Sequence, residues 1–452
     1  MPQLQFLGAA GTVTGSRHVF STAQMRLMVD CGLFQGLKSL RLRNRQPLDI
    51  APANLDAVLL THGHLDHVGY LPCLVKAGFR GKIYCSAPTR TIAEVVMQDG
   101  ARIQEEDAEA ANTGAYTRHT PAEPLYTQKD VAKVLPLFES VAPDQWLTLG
   151  EGAKARWQPV GHILGACFIE LELEGCRVVV SGDLGRPQDL LLPPPRKPQA
   201  ADVLLLESTY GDRLHPAEDP LPLLAAEIRA IAASGGSLFL PVFAVERTQA
   251  LLYALQLLHR QGQIPDVPII LDTLMGQRVL ALFKPFADWH RLALEDLEAL
   301  TERVHVVESV QHSLRLARKD GPRVVLAGSG MLTGGRMLNY LINGIKDPRN
   351  RLLFTGFQAE GTRGRQLLEG ADSIKIAGNW HAVAASIGKL EGLSAHADQA
   401  ELLDWLSELP TAPQQLWLVH GEPNACQGLQ KAIADRYNWS AEIAADGLSV
   451  AL

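Results

Sequence analysis

Seven consecutive residues, Thr61-His62-Gly63-His64-Leu65-Asp66-His67, hold three imidazoles and a carboxylate. Such a run suits metal binding, because imidazole nitrogen and carboxylate oxygen are common donors to zinc. A core would take these side chains badly, since a buried polar group without a hydrogen-bond partner costs kilocalories. A turn after a strand can aim alternate residues at two neighbouring points. His62 and His64 can then serve one ion while Asp66 and His67 serve a second. A surface histidine cluster or a single structural zinc uses the same residue types, but neither accounts for so dense a pattern. Three more candidates stand at the ends of apolar runs: His162 after Val160-Gly161, Asp183 after Ser181-Gly182, and His420 before Gly421. A lone histidine is more often a hydrogen-bonded structural residue than a ligand. Their shared place at strand ends raises these three, and a carboxylate such as Asp183 has one oxygen for each of two ions.

The elements that must position these residues are legible in outline. Residues 3–7, 17–21 and 26–29 read as short strands with turns, and Asp30 follows the last of them. Residues 57–60 form an apolar run that reads as a buried strand ending at the histidine cluster, and 68–77 reads as a helix. Residues 98–111 are polar and acidic, a helical segment inserted over the site. Strands 167–173 and 177–180 flank Glu174-Gly175, a hairpin signal, and 202–206 is another apolar strand. From residue 208 the rhythm changes. Strand-like runs at 238–243, 268–271, 304–307, 323–327 and 351–354 alternate with helix-like stretches such as 246–259 and 336–345. That alternation predicts a parallel sheet covered by helices. The tail returns to helix 398–409, strand 415–419 and helix 426–437, and Pro-rich 192–198 is a loop.

A chain of 452 residues can bury a sizeable core in about two or three domains. Hydrophobic content of 46% and charged content of 20% describe an ordinary globular protein. The N-terminus lacks the basic flank and apolar run of a secretory signal, and no apolar stretch is long enough for a bilayer. The six cysteines, Cys31, Cys73, Cys85, Cys167, Cys176 and Cys426, are scattered without a C-x-x-C pair. Reduced thiols and a cytoplasmic location, away from any membrane, are the expectation. A net charge of −7 argues against a passive nucleic-acid coat protein. Residues 321–381 nevertheless hold 8 Lys and Arg against 4 Asp and Glu, a local surplus of four positive charges. Such a surplus can line one wall of a groove.

The histidine cluster, His162, Asp183 and His420 together resemble the metallo-β-lactamase superfamily. Glu207-Ser208-Thr209-Tyr210-Gly211-Asp212, Ser394-Ala395-His396-Ala397-Asp398 and Val419-His420-Gly421-Glu422 resemble the extra motifs of its β-CASP branch. That branch includes the RNA endonuclease subunit of the cleavage and polyadenylation specificity factor and bacterial RNA-processing homologues. The likeness runs nearly end to end, through Ile103-Gln104-Glu105-Glu106-Asp107, Gly330-Met331-Leu332-Thr333-Gly334-Gly335-Arg336 and Gly356-Phe357-Gln358-Ala359-Glu360-Gly361-Thr362-Arg363. Asp272-Thr273-Leu274-Met275 departs from it, where the family often has Asp-Ser-Pro and a hydrophobic residue.

The resemblance implies an α/β (α+β) fold, a four-layer αββα metallo-β-lactamase sandwich with an inserted α/β β-CASP domain. The first domain would comprise residues 1–207 and 385–452, and the insert 208–384, with RNA entering between them. Two Zn²⁺ per chain are implied, with Mn²⁺ also suited to such donors. One ion falls to His62, His64 and His162, the other to Asp66, His67 and His420, with Asp183 bridging and Asp30 organising the metal loop from behind. The implied chemistry is hydrolysis of an RNA phosphodiester, with Asp66 orienting the nucleophile, His396 as general acid and Glu207 orienting His396. His420 favours RNA, because the branch's DNA-repair nucleases generally carry an apolar residue there. Ser394-Ala395-His396-Ala397 favours endonucleolytic cutting over the Ser-Gly-His-Ala form common in the 5′ exonuclease RNase J. Gly328-Ser329-Gly330 and Thr333-Gly334-Gly335 precede a helix, where small residues let backbone N–H groups approach a phosphate. Ser329, Gly330, Thr333, Arg336, Arg363 and Arg365 are therefore the expected contacts to the backbone of single-stranded RNA. The alternatives are a 5′ exoribonuclease of the same branch, a small-molecule metallo-hydrolase, or a non-catalytic RNA-processing subunit. Assembly as a homodimer is a further expectation.

Overall fold

The computed structural model describes residues 1–114 and 121–452. It divides into two compact units, residues 1–214 with 396–452, and residues 215–395.

The first unit is built on two seven-stranded sheets. One has the spatial order Ser449–Ala451, Gln3–Phe6, His18–Ser21, Arg26–Val29, Ala57–Leu59, Lys82–Ser86, Phe138–Val141. The other runs Glu442–Ile443, Gln415–Val419, Val203–Glu207, Cys176–Val180, Cys167–Leu173, Ala153–Pro159, Leu147–Gly150. The sheets share a core. The Phe6 and Trp417 rings lie 5.3 Å apart, and the Trp157 indole N–H donates across to Leu60 O at 3.0 Å. Helices Leu71–Lys76, Ala87–Gly114 and Gln128–Val134 accompany the first sheet, and Gln399–Trp405 and Pro423–Tyr437 the second. This gives the four α, β, β, α layers expected from the sequence. Val203–Glu207 is buried at every residue, the signature of a central strand covered on both faces.

The second unit is a six-stranded, wholly parallel sheet. Its order is Val304–Val306, Ile269–Asp272, Arg323–Ala327, Ser237–Pro241, Arg351–Phe354, Ser386–Lys389. Helices Pro220–Ser234, Arg247–Arg260, Leu274–Phe283, Val310–Ala317 and Met337–Gly344 connect the strands. The alternation read from the sequence is therefore a parallel sheet, as parallel neighbours require crossover connections. A separate antiparallel hairpin pairs Ser373–Ile376 with Asn379–Ala382.

Three boundaries differ from the sequence reading. The expected helix 68–77 is two, Leu65–Val68 and Leu71–Lys76, with Pro72 opening the second because its missing N–H is harmless in a first turn. The polar segment 98–111 belongs to a much longer helix, Ala87–Gly114. The second unit spans 215–395 where 208–384 was expected, its end lying later because Ser386–Lys389 pairs with Arg351–Phe354 as an edge strand. Among the described residues no helix is long and apolar enough to cross a membrane.

Candidate metal centre

In the first unit, strand ends and the turns after them gather the histidines. Ala57–Leu59 delivers Thr61 and His62, and the short helix Leu65–Val68, with His64 at its N-cap position, turns Asp66 and His67 inward. Gly63 permits this turn: a Cβ there would sit 2.6 Å from Ile92 Cγ2 of the long helix. His162 follows Ala153–Pro159, Asp183 follows Cys176–Val180, and His420 follows Gln415–Val419. Asp30 (φ 59°) and His420 (φ 50°) both take left-handed backbone, uncommon for residues with a side chain and frequent at functional sites.

Two donor groups result, His62, His64, His162 and Asp183, and Asp66, His67 and His420. In the first, His64 Nδ1 lies 3.1 Å from His62 Nε2 and 3.2 Å from His162 Nε2. Asp183 Oδ2 lies 3.3 Å from His62 Nε2 and 3.4 Å from His162 Nε2. Four donors about 2.0–2.1 Å from a tetrahedral zinc are roughly 3.3 Å from one another, so this spacing fits an ion at their centre. In the second, His420 Nε2 is 3.4 Å from both His67 Nε2 and Asp66 Oδ2, and His67 Nε2 is 4.0 Å from Asp66 Oδ2. The other oxygen of Asp183, Oδ1, lies 3.3 Å from His67 Nε2, so one carboxylate faces both groups. Asp183 Oδ1 is buried and accepts no hydrogen bond. A buried, unbonded carboxylate oxygen among imidazole nitrogens is the state a cation would relieve.

The far sides of the His62, His67 and His420 rings are tied down. Asp30 Oδ2 accepts from His67 Nδ1 at 2.7 Å while its Oδ1 accepts from Thr61 N at 2.8 Å. Thr61 Oγ1 meets His62 Nδ1 at 3.0 Å, and Thr209 Oγ1 meets His420 Nδ1 at 3.1 Å. Such outer contacts fix ring orientation and aim the remaining nitrogen inward. The segment carrying Asp30 is itself held. Cys31 N donates to His67 O at 2.7 Å, and a Cβ on Gly32 would lie 1.5 Å from Asp66 O. Buried Arg17 donates twice to Gly32 O, at 2.9 and 2.7 Å, with its guanidinium 3.9 Å from the Tyr70 ring centre. Thr61 and Thr209 lay within motifs legible in the sequence but gave no hint of their role. Arg17 gave no signal, because its partner is a backbone carbonyl.

Electrostatics fit cation binding. Burial pushes His62 and His162 below the usual imidazole range and His64 down to about 3, leaving the neutral form that ligates metals. For His67, burial lowers the pKa but Asp183 and Asp30 outweigh it, so it stands well above the usual value. For Asp183, burial raises the pKa and the surrounding histidines overcome it, keeping the carboxylate ionised.

A third group, Asp183, Glu207 and His396, adjoins these two. His396 Nδ1 donates to Glu207 Oε1 at 3.2 Å, and its Nε2 lies 3.9 Å from Asp183 Oδ2. Glu207 is fully buried. Its Oε1 also accepts from Leu184 N at 2.7 Å and its Oε2 from Thr209 N at 3.2 Å. Burial lowers the His396 pKa, but Glu207 and then Asp183 prevail and it is raised. Asp398 caps the following helix in a reciprocal pair with Glu401, and Ala397 N donates to Leu184 O at 2.8 Å, so the backbone that follows His396 is fixed.

The residues expected at phosphates lie in the second unit and are placed differently. Ser329, Gly330 and Thr333 form the loop after Arg323–Ala327, where the Ser329 and Thr333 hydroxyls meet at 3.1 Å. Arg336 and Arg363 tie separate segments together, and Arg365 makes a surface pair one turn along its own helix. Arg336 Nη1 donates to buried Asp272 Oδ1 at 2.5 Å, Arg363 binds Lys375 O and Leu332 O at 2.7 and 2.9 Å, and Arg365 pairs with Glu369 at 2.6 Å. Each of the three therefore has a partner within the second unit. Asp272, the residue before the Thr273-Leu274 departure from the family's usual Asp-Ser-Pro, holds Arg336 and also accepts from Tyr340 OH at 2.8 Å.

Family models match along the chain: the metallo-β-lactamase superfamily over residues 25–226, the Beta-Casp domain over 248–367, and a Zn-dependent metallo-hydrolase RNA specificity domain over 380–444. The chain is 38% identical over 440 residues to ribonuclease TTHA0252 of Thermus thermophilus, covering 95% of each protein. It is 29% identical to the transcription termination factor FttA of Methanocaldococcus jannaschii, over 94% of this chain and 67% of that one. An RNase J-like protein of the same organism is 29% identical, with 93% of each chain covered. A crystal structure of a protein of unknown function from Enterococcus faecalis V583 shares the fold, with a TM-score of 0.52 at 12% identity over the whole of both chains. Matched by family models over most of its length and aligned almost wholly with such a relative, the chain belongs to the β-CASP branch of the metallo-β-lactamase superfamily and is a metal-dependent hydrolase.

Proposed function

We propose that this chain is a zinc-dependent ribonuclease that hydrolyses phosphodiester bonds of single-stranded RNA, cutting endonucleolytically, in RNA processing or decay. The observation that carries the reading is Asp183, whose two oxygens face two separate donor groups while His396 stands beside it. His62, His64 and His162 would hold one zinc, Asp66, His67 and His420 the second, and Asp183 both. Bound there, a pair of zinc ions would lower the pKa of water and neutralise charge on the phosphate oxygens. Manganese suits the same donors.

The chain's own groups supply the rest. Asp66 orients the attacking water. His396, charged and aimed by Glu207, gives its Nε2 proton to the leaving ribose oxygen. Glu207 is kept in place by the two backbone N–H donors of Leu184 and Thr209, so it can hold one imidazole orientation without rotating. Ser329, Gly330 and Thr333 meet the RNA backbone through hydroxyl and backbone N–H groups. The named relatives support an RNA substrate: one is a ribonuclease and another a transcription termination factor.

Endonucleolytic cutting rests on Ser394-Ala395-His396-Ala397, and the competing reading is a 5′ exoribonuclease. Zinc-loaded protein given circular RNA and 5′-phosphorylated linear RNA separates them. Cleavage of the circle is the expected result, and cleavage of the linear substrate alone would establish the exonuclease. A cytoplasmic location and a homodimeric state complete the reading, the second measured by light scattering.

A further inference from the structure

We propose that the hairpin of the second unit is a stacking platform for an unpaired RNA base, formed by Trp380 with Lys375 beside it. The inference rests on the ribonuclease reading and adds to it a substrate contact outside the metal centre.

Trp380 is 69% exposed, whereas every other described Phe, Tyr and Trp is buried or half-buried. A single exposed apolar side chain is ordinary by itself. What distinguishes this one is the rigidity of its support. The hairpin closes through Ala377 and Gly378, with φ of 47° and 84°, the tight two-residue turn that matches strand twist. Ile374 and Ile376 point beneath it into the core and are 0% and 1% exposed. Val383 N donates to Asp372 O at 2.8 Å across the open end. An indole on such a base loses little freedom when a ligand stacks on it.

The charge beside it has the right sign. Lys375 is directly opposite Trp380 in the hairpin register, so both side chains leave the same face, about 4.5–5.5 Å apart at Cβ. Lys375 is exposed and, among the described residues, its ammonium makes no ion pair. Trp380 likewise has no ring or cation partner among them. A nucleotide of single-stranded RNA offers a flat π-face and one phosphate charge, which indole and ammonium match. The remaining residues of that face, Ser373 and Ala382, are small. A stable protein interface needs about 800 Å² from each partner, far more than one ring and one lysine supply.

The platform is also coupled to the loop assigned to the RNA backbone. Arg363 donates from Nε to Lys375 O at 2.7 Å and from Nη1 to Leu332 O and Thr333 O at 2.9 and 3.3 Å. One guanidinium therefore straps the hairpin to the Ser329–Thr333 loop. A strand whose phosphates meet that loop can carry its neighbouring base onto Trp380. Arg363, expected at a phosphate, becomes the strap between two RNA-facing elements.

The test uses zinc-loaded protein and a 5′-fluorescein oligoadenylate 12-mer with phosphorothioate linkages, read by anisotropy. Trp380→Ala should weaken binding roughly tenfold, the scale of one base–aromatic stack, and Trp380→Phe should recover most of it. On cleavable RNA the Trp380→Ala change should raise KM and leave kcat alone. Lys375→Ala should reduce the slope of log Kd against log salt by about one. Wild-type affinity in Trp380→Ala would overturn the platform, and so would a change in its mass by light scattering with affinity intact, which would mark a protein–protein surface. Binding of the oligonucleotide lost in Trp380→Ala, in a wild-type protein that cuts no RNA, would support the platform and sink the ribonuclease reading alone.

Discussion

The metal donors of the first unit and the arginines of the second are both polar groups carried on the turns and helices that follow strands, yet their surroundings treat them oppositely. Around His62, His67 and His420, the residues behind each ring hold one nitrogen: Thr61, Asp30 and Thr209 meet Nδ1. The inward nitrogens face one another and Asp183. Arg336, Arg363 and Arg365 instead direct their donors to Asp272, to backbone carbonyls and to Glu369. The first arrangement presents atoms to a ligand, and the second holds loops in place. What decides between them is whether the fold supplies partners for the functional atom or only for the atom behind it.

The variants that test this contrast run from large effects to small. His396→Ala removes an inward-facing group and should lower single-turnover RNA cleavage by about 10²- to 10⁴-fold, with zinc content unchanged by metal analysis. Near wild-type turnover would remove His396 from catalysis. Arg336→Ala should act on stability, because it strands buried Asp272. Breaking such a pair costs about 3–5 kcal/mol, visible in denaturant unfolding, while the salt dependence of RNA binding stays unchanged. A flattened salt slope with unaltered stability would restore Arg336 to the RNA contacts. Asp30→Asn keeps every inward donor but weakens the hold on His67, and should reduce zinc affinity by about 10- to 100-fold in chelator competition. Unaltered affinity would show that orientation from behind is dispensable. Glu207→Gln is the smallest change. Losing the negative charge lowers the His396 pKa, so the acid form disappears sooner as pH rises. The alkaline limb of kcat should move to lower pH, and an unmoved limb would separate Glu207 from His396.

How much was legible follows the same division. The histidine cluster stood out because its chemistry is local in sequence, and Asp183 and His420 could be found because each closes an apolar strand, whereas His162 follows Ala153–Pro159 and was placed by the family resemblance. The parallel sheet of the second unit was readable from alternating strands and helices. Strand Phe138–Val141 was not, since its two central residues are polar and exposed, and Leu147–Gly150 and Ala153–Pro159 were passed over although their apolar and polar residues alternate. Ser386–Lys389 was missed as an edge strand because it is short and half exposed. The state of Arg336 was illegible for another reason: its partner Asp272 lies 64 positions away and on a different strand.

The central claim is that two ions share Asp183. Metal analysis of zinc-loaded wild-type protein and Asp183→Ala, paired with anomalous diffraction at the zinc edge, tests it most directly. The account predicts two adjacent zinc sites per chain in the wild type, on the two histidine groups, and fewer than two retained in the variant. One zinc per chain in fully loaded wild-type protein, or two ions with Asp183 touching neither, would contradict it.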